Sequence, residues 1–144
     1  DDYEEGSWDV SFKGSEGGSS SFSGTGHYIK IGRVVHCTVT LSDKTNNGVG
    51  GTVEVSAPFT AGSDIQGQIW KGGDIYFYPL STWDTYTDHL GFSPQMNAGS
   101  SIFYLSIKRK DDDRQDVMSA GNNSNISTAS GMWCKFSITY WVAA

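Results

Sequence analysis

Tyr28-Ile29-Lys30-Ile31-Gly32-Arg33-Val34-Val35-His36-Cys37-Thr38-Val39-Thr40-Leu41 is the stretch whose reading decides the fold. Taken every second residue, Ile29, Ile31, Arg33, Val35, Cys37, Val39 and Leu41 fall on one face, and Tyr28, Lys30, Gly32, Val34, His36, Thr38 and Thr40 on the other. The first face is nearly all apolar and the second mostly polar. A period of two belongs to a β-strand with one side on a core, not to a helix. The Ile31-Gly32-Arg33 step offers a turn that would divide the stretch into a hairpin.

The same alternation recurs outward in both directions. Trp8 to Phe12 reads as a short half-buried strand, and Lys13 to Gly26 as a turn or weak strand around Phe22. Asp43 to Gly51, with Asn46-Asn47-Gly48, reads as a loop, and Thr52 to Ser56 as a strand that ends before Pro58. Ile65 to Lys71 and Asp74 to Tyr78 flank Gly72-Gly73 and are expected to form a tight hairpin. Ile102 to Lys108 alternates again, and Asp111 to Ser130 is expected to be a polar loop with at most one short strand. The chain closes with Cys134, Phe136, Ile138, Tyr140 and Val142 on one face of a last strand. About seven or eight antiparallel strands and no 3.6-residue period point to an all-β sandwich or barrel.

Composition agrees. Glycine is abundant at 18 of 144 residues, aromatics reach 13%, and charged residues only 18%, against about 25% in ordinary domains. The chain has the length of one domain, expected to span 7–144, with 1–6 as a linker end from a longer upstream chain. The formal net charge of −6 and the lack of a basic stripe argue against nucleic acid as a partner. No apolar run reaches the roughly 18 to 20 residues of a membrane-spanning helix, so membrane insertion is not expected. Cys37 and Cys134 allow one disulfide, and their place in strand-like segments favours buried free thiols.

Candidate chemistry is sparse. Asp111, Asp113 and Asp116 lie in an acidic run that offers oxygen ligands for a cation, without the glycine and terminal glutamate of an EF-hand loop. His27, His36 and His89 share no zinc spacing, no nucleophile-elbow motif is present, and Glu54, Asp74, Asp84 and Asp88 show no pairing that singles out a glycosidase dyad. The expectation is a protein that is not an enzyme and uses no cofactor. The aromatics say more. Trp70, Tyr76, Tyr78, Trp83, Tyr86 and Phe92 are interleaved with Asp74, Asp84, Asp88, His89 and Gln95. Sugar rings stack apolar C–H faces on flat side chains and place hydroxyls on carboxylates, amides and imidazoles. Trp83, Asp84, Tyr86, Asp88 and His89, with Trp70, are therefore the candidate glycan-binding residues. The competing reading puts these aromatics in the core or a subunit interface.

Asp1-Asp2-Tyr3-Glu4-Glu5-Gly6-Ser7-Trp8 resembles the Asp-Tyr-Glu-Glu-Gly-Thr-Trp-Thr-Pro segment that begins the C-terminal domains of many bacteriophage tail fibres, head fibres and related virion appendages. Gly26-His27-Tyr28-Ile29-Lys30-Ile31-Gly32-Arg33-Val34-Val35 is similar to that family's Gly-x-Tyr-x-Lys-Ile-Gly-x-x-Val strand, and Ser56-Ala57-Pro58-Phe59-Thr60 to its Leu-Pro-Phe-Thr turn. Asp9-Val10 and Ala57 depart from the pattern, and residues 65–130 carry no family motif. The resemblance implies a jelly-roll-like sandwich at the tip of a virion fibre, commonly a homotrimer, that contacts a host-cell receptor. A structural module that only trimerises or decorates the particle is the alternative, and a polysaccharide-degrading domain a third. Val34 and Trp141, on second faces of strands, are the residues expected to pack between subunits.

Overall fold

The Gly32-Arg33 step is indeed a turn. In the computed structural model, which describes residues 2–15, 19–42, 51–64, 68–78, 89–109, 115–117, 119–120 and 133–143, Gly32 has φ 57° and Ile31 pairs with Val34. That is left-handed backbone, which glycine enters without steric cost. The turn separates β2 (Ser19–Ile31) from β3 (Val34–Ser42). It also exchanges faces, because the ladder joins odd positions of β2 to even positions of β3 and even to odd: Ile29 to His36, Tyr28 to Cys37. Val35, Cys37, Val39 and Leu41 are buried as expected, whereas Ile29 and Ile31, expected beside them, lie on the solvent face. One strand would have kept all six together; two strands around a two-residue turn cannot.

β1 (Tyr3–Gly14) pairs with β2 from Tyr3↔Ile31 onward, so residues 3–6, expected to end a linker, form the start of a strand. Gly26 of β2 faces Trp8 of β1 so closely that a β-carbon there would lie 2.2 Å from the indole. The indole fills that space, and its Nε1–H donates to the Ser56 carbonyl at 3.1 Å.

The remaining strands are β4 (Gly51–Ser56), β5 (Ile69–Lys71), β6 (Tyr76–Tyr78), β7 (His89–Asn97), β8 (Ile102–Arg109), β9 (Gln115–Val117), β10 (Ser119–Ala120) and β11 (Trp133–Trp141). One antiparallel ladder runs β5-β7-β8-β4-β1-β2-β3-β11-β6, with β9 on β8 and β10 on β4. Among the described residues no segment is helical. Seven of these strands have six or more residues, in keeping with the seven or eight expected; the other four are two or three residues long. Two further expectations need correction. Gly72-Gly73 does not close a hairpin: β5 pairs with β7 and β6 with β11, because the Gly72 N–H continues the β5–β7 ladder to the Pro94 carbonyl. The segment after Asp111 holds two short strands, β9 and β10, where at most one was expected.

The path folds over on itself. Phe103 of β8 meets Phe136 and Tyr140 of β11, strands far apart along the ladder, with ring centroids 5.8 and 5.7 Å away in edge-on contact. Around them Val35, Val39, Leu41, Val53, Met96, Leu105 and Ile138 are buried, each contributing about 1.5–3 kcal/mol by transfer from water. The protein is thus an all-β antiparallel fold of the sandwich or barrel kind.

Candidate functional site

The alternation that buries one side of β1, β2, β3 and β11 leaves the other side in solvent. The ladder registers align its residues in rows across the four strands. Tyr3-Ile31-Val34-Trp141 form one row, followed by Glu5-Ile29-His36-Thr139, Ser7-His27-Thr38-Ser137 and Asp9-Thr25-Thr40-Lys135. Beyond these, Ser42 pairs with Trp133, and Tyr76 of β6 pairs with Lys135. Neighbouring strands lie about 4.8 Å apart and positions two along a strand about 6.8 Å, so the face is broad and open.

Its two ends differ in chemistry. At the Trp141 end the row is wholly apolar, with Tyr3, Ile31, Val34 and Trp141 between 39% and 60% exposed. Several of the described charges around it are paired within the chain. Lys30 pairs with Glu4 at 3.8 Å, Arg33 with Asp64, and the Tyr3 hydroxyl donates to Glu5 at 2.7 Å. The Arg33 guanidinium accordingly holds the Asp64 carboxyl below the usual carboxylate range.

At the other end Trp133 (45% exposed) and Tyr76 (59% exposed) flank Lys135, whose Nζ lies 5.7 Å from the Trp133 ring centroid. Beside them Asp9, Gly24, Thr25, Thr40 and Ser42 line a shallow depression of about 360 Å³. Ser42 pairs directly with Trp133 and Thr40 with Lys135, so the rings border the hydroxyls. A second depression, about 390 Å³, is lined by Glu5, Ser7, His27 and Ile29 with the backbone of β1 and β2. Between the ends the His36 Nδ1 lies 2.9 Å from the Thr139 hydroxyl. A flat face with aromatic rings at the rim and short hydroxyl and carboxylate groups inside suits a polyhydroxylated ligand that stacks and hydrogen-bonds.

None of the residues nominated from the sequence is among the described residues of this face. Trp83, Asp84, Tyr86 and Asp88 lie outside the described residues, as do Asp111 and Asp113. His89 opens β7 and Asp116 is the middle of β9, both described by backbone alone. Trp70 is half-buried on β5, opposite Met96, and packs against the core. Glu54 forms an ion pair with Lys13 at 3.7 Å. No group of three or more metal-ligating side chains occurs among the described residues. Cys37 and Cys134 are free and buried; desolvation pushes the Cys37 thiol up to about 12 and raises Cys134 as well, so neither is a thiolate nucleophile at neutral pH.

Trp133 is the residue that sequence reasoning missed. The signal was present: the odd positions of the closing strand carry two tryptophans opposite a fully apolar even face. Large aromatics on the solvent side of an amphipathic strand have no core to fill. Comparison of the chain with protein-family models, with curated proteins and with solved structures gave no match.

Proposed function

We propose that this chain is a binding domain of a bacteriophage tail fibre or related virion appendage that recognises a host cell-surface glycan. The observation that carries the reading is the Trp133–Tyr76 pair of exposed rings beside the hydroxyl-lined depression of Asp9, Thr25, Thr40 and Ser42. The ordered motifs from Asp2 to Trp8 and Tyr28 to Val35 support the virion setting. In this account the domain works on the outside of the particle by binding alone, without catalysis or cofactor. Weak single contacts add up because an appendage presents several copies at once.

The apolar row Tyr3-Ile31-Val34-Trp141 favours a companion role in assembly, with copies of the chain meeting there as a homotrimer. The polysaccharide-degrading alternative has no observation behind it.

The test is a microarray of bacterial cell-surface polysaccharides. Trp133→Ala is expected to weaken binding about tenfold or more, equivalent to ~1.4 kcal/mol, with folding intact. Loss of binding in Trp83→Ala but not in Trp133→Ala would move the site to residues 83–89 and overturn the placement.

A further inference from the structure

Resting on that reading of the outer face, we propose that the recognised glycan carries a carboxylate and that Lys135 is the residue that pairs with it. Three cations of the described surface are held in ion pairs: Lys13 with Glu54, Lys30 with Glu4 and Arg33 with Asp64. Lys135 stands apart from these pairs, since no described carboxylate lies within ion-pair reach of it. Its neighbours are an indole, a phenol and a hydroxyl: Trp133 two positions back on β11, Tyr76 across on β6 and Thr40 across on β3.

An ammonium over an aromatic ring is held by the negative face of the ring and keeps N–H donors free for an acceptor. In this position the charge stands beside two exposed rings, with no described carboxylate in ion-pair reach. A uronic or sialic acid combines the two complementary features in one unit, an apolar C–H face for Trp133 or Tyr76 and a carboxylate for Lys135.

The row also has a direction. Asp9 lies at its far end, three strands or about 14 Å from Lys135. The acidic sugar belongs at the Lys135 end, and neutral hydroxyls run towards Thr40, Thr25 and Asp9, where a second carboxylate would be repelled. The overall charge of −6 does not oppose this, because screening confines each charge to about 8–10 Å at ordinary salt. Binding should accordingly weaken as salt rises.

The experiment prints bacterial surface polysaccharides in two forms, native and carboxyl-reduced, the second converting each uronic acid to its neutral hexose. Wild type, Lys135→Met and Trp133→Ala are compared, with thermal melts to confirm folding; methionine keeps the aliphatic stem over the indole. The proposal expects the bound glycans to be acidic, binding to be lost on carboxyl reduction, and Lys135→Met to lose about tenfold or more on the native forms. Equal binding to carboxyl-reduced glycans, or unchanged binding by Lys135→Met, overturns the carboxylate assignment while a Trp133→Ala defect keeps the glycan reading. No binding of wild type to any glycan overturns both.

Discussion

Phe103 sits where the two layers of the folded sheet meet, buried and in edge-on contact with both Phe136 and Tyr140. Truncating it opens a void that the rigid strands cannot collapse into. Phe103→Ala should cost about 3–5 kcal/mol in urea unfolding; a loss below 1 kcal/mol would mean the layers do not meet there. At this scale much was legible. Phe103, Leu105, Cys134, Phe136, Ile138 and Tyr140 follow from alternation alone, because each lies within one uninterrupted strand. Ile29 and Ile31 were not legible, since their face depends on how many residues the Gly32 turn contains. Trp133 was visible as a residue and silent as a site, for its role depends on Tyr76, Thr40 and Ser42, which only the strand pairing brings beside it.

The β2–β3 hairpin is the element on which the outer face is built. Its turn puts Gly32 at φ 57°, with nothing near the position where a β-carbon would project. The expense of a side chain there is backbone strain alone. Gly32→Ala should destabilise by about 1–2 kcal/mol and lower the melting temperature by several degrees, with the fold kept; an unchanged melt would argue against left-handed backbone at Gly32. Gly72-Gly73 teaches the opposite lesson. A Gly-Gly pair between two aromatic runs is a good local hairpin signal, yet the Gly72 N–H goes to Pro94 and the chain passes from β5 to β6 at opposite ends of the ladder. Local turn chemistry states what a segment can do; long-range pairing selects among the options.

Over the whole molecule, the proposed function assigns two tasks to the exposed face of β1, β2, β3 and β11. Trp133 and Trp141 stand eight positions apart on one strand, about 27 Å, one beside a polar depression and the other in an apolar row. Copies meeting at the apolar row would leave the polar end open to the cell surface. Light scattering should therefore report a mass above that of one chain, and Ile31→Glu with Trp141→Glu should reduce it to a monomer; a monomeric wild type would contradict the assembly role. The recognition task rests on the polar end being the ligand site. Heteronuclear NMR of the five tryptophan indole N–H groups, titrated with a polysaccharide that binds on the microarray, tests this most directly. The account predicts that the Trp133 signal moves most, while that of Trp8, bonded to the Ser56 carbonyl, stays in place. A shift at Trp83 with Trp133 unmoved would contradict it.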